Sequence, residues 1–202
     1  TELKNSLCEL YNLLPENIIL GNGSEGIMAY IARAFIQPGD EVLTSEKTFI
    51  GFHILATSAG AKLVTVPRTE DMRYNVKELA KAVNDNTKVL YIANPDNPTG
   101  TYFNKSMFDS FMELVPNRVL VILDEAYFEF SKSSYANLVE KYNNMIVIRS
   151  MSKWAGLAGL RVGYGLMSKE LAKLFMGVKN PYNVSTVAEE SLIVSLKYVD
   201  KL

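Results

Sequence analysis

The stretch V-L-V-I-L-D-E-A-Y, residues 119 to 127, decides the fold. It opens with an unbroken apolar run, 119–123, the pattern of a strand covered on both faces of a sheet. An acid, Asp124, closes the run, and a carboxylate ending a buried strand needs a partner because an unpaired one is costly to bury. Outward from here, in both directions, the same pattern recurs. Short runs rich in branched apolar residues at 18–20, 41–43, 63–66, 89–92 and 145–148 read as further buried parallel strands. Helical periodicity occupies 25–35, 51–59, 76–83, 105–114 and 135–141 between them. Pro38-Gly39-Asp40, Gly60 and Pro116-Asn117 punctuate the alternation where turns are needed. The result is an α/β expectation: a three-layer, mostly parallel, doubly wound sheet with helices on both faces.

After Ser150 the pattern loosens. Residues 162–166, set among glycines, read as one more strand, antiparallel to the others, and helices are expected at 169–176 and 187–198. A first helix begins near residue 2, so both ends of the 202-residue chain fall inside predicted elements, as in one large domain cut from a longer protein. Hydrophobic residues make up 48% and charged residues 21%, ordinary for a globular domain. A formal net charge of -1 gives no electrostatic reason to expect nucleic acid or an anionic membrane as partner. The single cysteine, Cys8, excludes an internal disulfide framework and, in its helical setting, reads as a small buried hydrophobe. A reducing compartment follows. With no signal-peptide pattern in T-E-L-K-N and no apolar run long enough to span a bilayer, a cytoplasmic location is expected.

In such a sheet ligands bind beyond the carboxyl ends of the strands, and four loops there carry polar chemistry. G-N-G-S-E-G at 21–26 fits the dinucleotide pattern, with Glu46 standing where a ribose-binding acid would be. It also fits a tight turn with Ser24 as helix N-cap, or a cradle for another phosphate, since free N–H groups at a helix start favour any such anion. N-P-D-N-P-T-G at 94–100 uses two prolines and Gly100 to fix its backbone, holding the Asn97 amide at a strand end; alone it reads equally as a rigid loop. In D-E-A-Y, Asp124 has helix-cap and metal-ligand readings, but no Asp, His or Cys cluster with ligand spacing accompanies it, so no metal is expected. Glu125 is expected to point the other way. S-M-S-K-W-A-G-L-A-G-L-R at 150–161 gathers two serines, a lysine and an arginine after a strand. A lysine amine attacks aldehydes once burial or neighbouring cations lower its pKa. Taken alone such a lysine is a solvated surface residue, a reading that the apolar, glycine-rich surroundings weaken.

One ligand uses all four loops: pyridoxal 5'-phosphate, an aromatic aldehyde with a protonatable ring nitrogen, a phenolic oxygen and a phosphate. Lys153 would form the Schiff base, and Asp124 would pair with the ring nitrogen so that the ring acts as an electron sink. Asn97 and Tyr127 would hydrogen-bond the phenolic oxygen. Ser150, Ser152, Arg161 and the N–H groups of Gly23, Ser24 and Glu25 would cradle the phosphate. Lys153, Asp124 and Tyr127 are then the candidate catalytic residues.

N-P-T-G at 97–100, D-E-A-Y at 124–127 and S-x-S-K at 150–153, followed eight residues later by Arg161, resemble the signature set of the class I/II (fold-type I) aminotransferases. N-G-S-E, P-G-D-E-V, N-P-D-N-P-T-G, D-E-A-Y-F-E-F, A-G-L-A-G-L-R-V-G-Y and P-Y-N-V-S resemble the histidinol-phosphate aminotransferases within that group. The likeness extends over nearly the whole chain. It implies a cytoplasmic, homodimeric transaminase of amino acid biosynthesis, histidine biosynthesis in particular, moving an amino group between an amino acid or amino phosphate and a 2-oxo acid. It also implies that 1–202 is the single cofactor-binding large domain. The amino-terminal arm, whose tyrosine serves a neighbouring subunit, and the small domain with the substrate-carboxylate arginine are expected outside it. By the same likeness Phe49 stands where the family commonly stacks a tyrosine on the ring, keeping the flat face and losing the hydroxyl; otherwise it is a core aromatic opening a helix. His53, Trp154 and Tyr164 read as packing. A threonine-phosphate decarboxylase-like enzyme shares these motifs, an NAD-dependent dehydrogenase would use only the first loop, and a cofactor-binding domain without catalysis is the non-enzyme alternative.

Overall fold

The computed structural model describes residues 1–131 and 134–199. The chain runs α1 (Glu2–Tyr11), β1 (Ile18–Asn22), α2 (Gly23–Phe35), β2 (Glu41–Ser45), α3 (Gly51–Ser58), β3 (Lys62–Val66) and α4 (Val76–Ala82). It continues through β4 (Thr87–Ala93), α5 (Lys105–Met112), β5 (Leu120–Asp124), α6 (Phe128–Ser131), β6 (Met145–Ser150), β7 (Val162–Met167), α7 (Lys169–Met176) and α8 (Thr186–Leu196). The strands form one sheet in the order β1-β7-β6-β5-β4-β2-β3. Pairing is parallel from β3 to β6, whereas β7 runs antiparallel to both of its neighbours, β6 and β1. Consequently β1, β2, β4, β5 and β6 all end at the same edge.

The period-2 geometry of each strand sorts its side chains onto two faces. In β4, Leu90 and Ile92 join a core with Leu3 and Leu7 of α1, Leu79 of α4, Phe108 and Phe111 of α5 and Leu192 of α8. Val89, Tyr91 and Ala93 join the opposite core with Ile27 and Ile31 of α2, Phe52 of α3 and Phe175 of α7. Each fully buried aliphatic or aromatic side chain contributes on the order of 1.5–3 kcal/mol. The two cores are why the strands read as continuous apolar runs, except that β3, expected to be buried, is an edge strand with Lys62 and Thr65 exposed and Leu63 and Val64 half-buried. Among the described residues no helix is long and apolar enough to cross a membrane.

Two local expectations need correction. The stretch 135–141 is no α-helix: only Ala136–Leu138 winds, as a 3-10 turn, with bonds from Leu138 N to Tyr135 O and from Val139 N to Ala136 O. Tyr135 N is held by the Glu125 carboxylate at 2.7 Å, a tertiary anchor that helical spacing does not announce. Ser24 is no N-cap either, because α2 begins at Gly23 behind Asn22. Cys8 is half-buried against the α1 core, and the short α6 was not anticipated. The reading of a helix over 187–198 matches α8 in place, and 200–202 lie outside the described residues.

Candidate active site

Ser24, Glu25, Phe49, Asn97, Asp124, Tyr127, Ser150, Ser152, Lys153 and Arg161 line one pocket at the common strand edge, together with Met28, Ala93, Pro95 and Ala126. Contiguous motifs placed just after β1, β4, β5 and β6 explain why they meet. Both X–Pro bonds of the Asn97 loop, Asn94–Pro95 and Asn97–Pro98, are cis.

At the centre, Asp124 is almost wholly buried. Its Oδ2 accepts a hydrogen bond from Tyr91 Oη at 2.8 Å, and its Oδ1 one from Ala126 N at 3.1 Å. Burial pushes its carboxyl up to about 6, although Tyr91, the Ala126 amide and the nearby Lys153 charge all oppose the rise. Tyr91 was missed in the sequence, yet a hydroxyl inside the apolar run V-L-Y-I is a signal, since a buried tyrosine needs somewhere to place its polar tip. Lys153 lines the same pocket as Asp124, and its amine lies 5.2 Å from the centroid of the Tyr127 ring. Lys153 is exposed, so sharing a pocket with Asp124 distinguishes it, and burial does not.

At the amino end of α2, Gly23 adopts φ +71, and a Cβ there would lie 2.6 Å from Arg161 Nη2. Its N–H is already donated to Arg161 O at 3.0 Å. This corrects the expected anion donors: Ser24 and Glu25 keep their amides, the second and third of a helix with no carbonyl one turn behind, whereas Gly23 contributes shape. Gly163 of β7 was also missed. A Cβ on it would come within 2.5 Å of Ser24 N and 2.6 Å of Gly23 C, so the loop rests directly on the strand backbone. Arg161 holds φ +54, donates to Ala158 O at 3.1 Å and stays exposed, its Nη2 3.9 Å from Glu25 Oε2. Ser150 Oγ accepts from Ser152 N at 3.3 Å.

Across the pocket, Phe49 presents a ring that is 38% exposed, and a Cβ at Gly51 would overlap it. Glu46 does not line the pocket; its N–H donates to Val66 O, and its carbonyl accepts from Arg68 Nε. Glu125 does point away: it is fully buried, 2.6 Å from Arg149 Nη2, and accepts from Tyr135 N and Ser134 Oγ. Tyr164 is more than packing, because its hydroxyl meets that of Tyr11 at 2.7 Å. His53 turns edge-on to the Tyr91 ring, 6.3 Å between centroids, and burial holds its pKa down. Trp154 packs partly buried against the α1-side core. Among the described residues no group of three or more His, Cys, Asp or Glu is arranged to hold a metal ion.

The family model for class I and II aminotransferases matches residues 1–201. The chain is 40% identical over 199 residues to histidinol-phosphate aminotransferase 2 of Carboxydothermus hydrogenoformans, covering 96% of this chain and 55% of that protein. It is 40% identical over 190 residues to histidinol-phosphate aminotransferase 1 of Mannheimia succiniciproducens, covering 92% and 52%. The crystal structure of histidinol-phosphate aminotransferase from Sinorhizobium meliloti in complex with pyridoxal-5'-phosphate superposes with a TM-score of 0.92 at 31% identity, covering 99% of this chain and 56% of that one. The chain thus spans about half the length of the curated relatives it matches.

Proposed function

The chain belongs to the class I and II aminotransferase family, and from that premise we propose that it forms the pyridoxal-phosphate-binding large domain of a transaminase for histidinol phosphate or a similar amino phosphate. The observation that carries this reading is the meeting of Lys153 and Asp124 on the walls of one pocket, with the phosphate-binding end of α2 beside them.

The donor set fits the cofactor piece by piece. Asp124 is buried with only two neutral donors, Tyr91 and the Ala126 amide, and so favours a cationic N–H opposite it. The Phe49 face is free to cover a flat ring, and the start of α2 with Ser150, Ser152 and Arg161 offers amides, hydroxyls and a guanidinium to a phosphate. When bound, pyridoxal phosphate supplies an aldehyde for the amine and a ring that withdraws electrons from the substrate Cα. Lys153 would hold that aldehyde and, once displaced by the substrate amine, would take the Cα proton as general base and deliver it as general acid to the former aldehyde carbon. Asp124 would keep the ring nitrogen protonated, while Asn97 and Tyr127 would donate to the phenolic oxygen. The 2-oxo acid co-substrate, a homodimeric working unit and a cytoplasmic location belong to the same reading and are supported by the family likeness.

Lys153→Ala in the full-length protein tests it. The yellow band of the lysine-bound cofactor should vanish, and transamination of histidinol phosphate should fall by at least roughly 10²-fold. Turnover at the parent rate would refute the assignment. Release of CO₂ instead of a keto product with its carbon skeleton intact would mark a decarboxylase.

A further inference from the structure

Asp96, the third residue of N-P-D-N-P-T-G, does not face solvent, and capping its own loop at Thr99 is only part of what it does. Its side chain is fully buried, accepts hydrogen bonds from three residues and pairs with the charge of a fourth. Oδ1 accepts from Thr48 Oγ1 at 2.5 Å and Tyr74 Oη at 2.9 Å, and lies 2.8 Å from Arg68 Nη2 in an ion pair. Oδ2 accepts from Thr99 Oγ1 at 2.7 Å and Thr99 N at 3.4 Å. Arg68 in turn donates to the carbonyls of Glu46 at 2.8 Å, Lys47 at 3.5 Å and Met72 at 3.2 Å, with its guanidinium 4.2 Å from the Tyr74 ring centroid. The carboxylate therefore holds the 46–48 segment twice, directly through Thr48 and indirectly through Arg68.

Sequence adjacency gives this network a purpose. Thr48 is followed at once by Phe49, and Asp96 by Asn97. In each pair the first residue is buried in the network and the second lines the pocket. We infer that Asp96 is a positioning residue whose carboxylate clamps the Phe49 loop to the Asn97 loop and so fixes the slot between ring-covering face and amide donor. The inference rests on the reading of the pocket given above. A charged acceptor saturated by fixed donors is suited to this task, because charge-assisted hydrogen bonds are shorter and about twice as strong as neutral ones. A hydroxyl-to-carboxylate bond lost from such a network weakens what it holds by roughly tenfold.

The test uses Thr48→Val, which keeps the shape and removes the direct link, and Thr48→Ser, which restores the hydroxyl, both in the full-length protein. Three measurements are compared with the parent: amide hydrogen exchange of residues 46–50 without cofactor, the dissociation constant of pyridoxal phosphate, and the pH at which its yellow band titrates. Thr48→Val should exchange faster at 46–50, bind pyridoxal phosphate roughly tenfold more weakly and move the titration, and Thr48→Ser should return all three toward the parent. If Thr48→Val matches the parent in exchange, affinity and titration, the clamp is overturned. A parent protein that fails to bind pyridoxal phosphate would overturn the reading of the pocket instead, and unchanged exchange in Thr48→Val would still overturn the clamp on its own.

Discussion

On the β2 side of the pocket Arg68 meets Asp96 at 2.8 Å; on the β6 side Arg149 meets Glu125 at 2.6 Å, and all four side chains are 2% exposed or less. The two buried ion pairs are built differently. Around Asp96 both partners are saturated, the carboxylate by hydroxyls and an amide, the cation by three carbonyls. Around Arg149 the carboxylate is satisfied, but Nε and Nη1 of the arginine find no hydrogen-bond partner of good geometry among the described residues. Its guanidinium lies instead on the Phe128 ring, 3.2 Å from the centroid, with Tyr11 at 5.4 Å. The first pair joins loops that must keep a fixed spacing; the second sits behind the strand ends and relies on aromatic faces, one close carboxylate, the Ser134 hydroxyl at 2.6 Å and the more distant Glu129 at 3.9 Å. A buried charge held by many hydrogen bonds tolerates the loss of one better than a charge that depends chiefly on one close ion pair.

That contrast predicts unequal damage. Glu125→Ala strands the Arg149 charge and should lower stability by about 3–5 kcal/mol. Asp96→Ala leaves Arg68 its carbonyls and the Tyr74 face, for a loss of about 2 kcal/mol. Urea unfolding of both variants decides the matter, and equal losses would erase the distinction.

Between these pairs Asp124 has no arginine of its own, which sharpens the comparison through pH. Its folded-state pKa of about 6 lies above the ordinary 3.8, so the folded form holds the proton longer than the unfolded one. The stabilisation is therefore present in full below pH 3.8 and is lost as the pH rises through about 6. It amounts to about 3 kcal/mol. Cofactor-free protein unfolded by urea across this range should show that decline on top of those from Glu125 and Glu129, whose carboxyls burial also raises, and Asp124→Asn should shrink the total by Asp124's share. A decline of undiminished size in Asp124→Asn would assign it to another group.

The smallest effect belongs to Tyr91→Phe. Stacking on Phe52, with centroids 5.2 Å apart, survives the change, while Asp124 loses one of its two donors. Stability near neutral pH should drop by about 1 kcal/mol, and the Asp124 midpoint should climb by roughly one pH unit. A midpoint that stays put would mean that the hydroxyl contributes nothing to the carboxylate.

How legible all this was in the sequence depends on whether neighbours along the chain suffice. Runs such as 89–92 and 119–123 carry their own explanation, because burial on both faces demands unbroken apolar residues. The pocket motifs were readable for a related reason: each is a contiguous loop after a strand, so spacing alone aligns them. The 135–141 stretch misled because its helical spacing of apolar residues serves a bent segment pinned by Glu125. Thr48, Arg68 and Tyr74 reach Asp96 from other segments, and no local pattern reports it. The Gly23 amide was misassigned for the same cause: the helix-start rule supplies free N–H groups but knows nothing of a carbonyl arriving with Arg161.

Among the described residues, the only strand paired with β1 is β7, in a register running from Ile18–Leu166 to Asn22–Val162. During synthesis, a chain that has left the ribosome only as far as Ser150 holds its glycine loop on a strand without a neighbour. So distant a pairing pays its loop-closure entropy before any contact rewards it, which makes it a late event in folding. Until Gly163 arrives beneath Ser24, β6 stands as an unpaired edge in place of β1, and unpaired strands invite association with other chains.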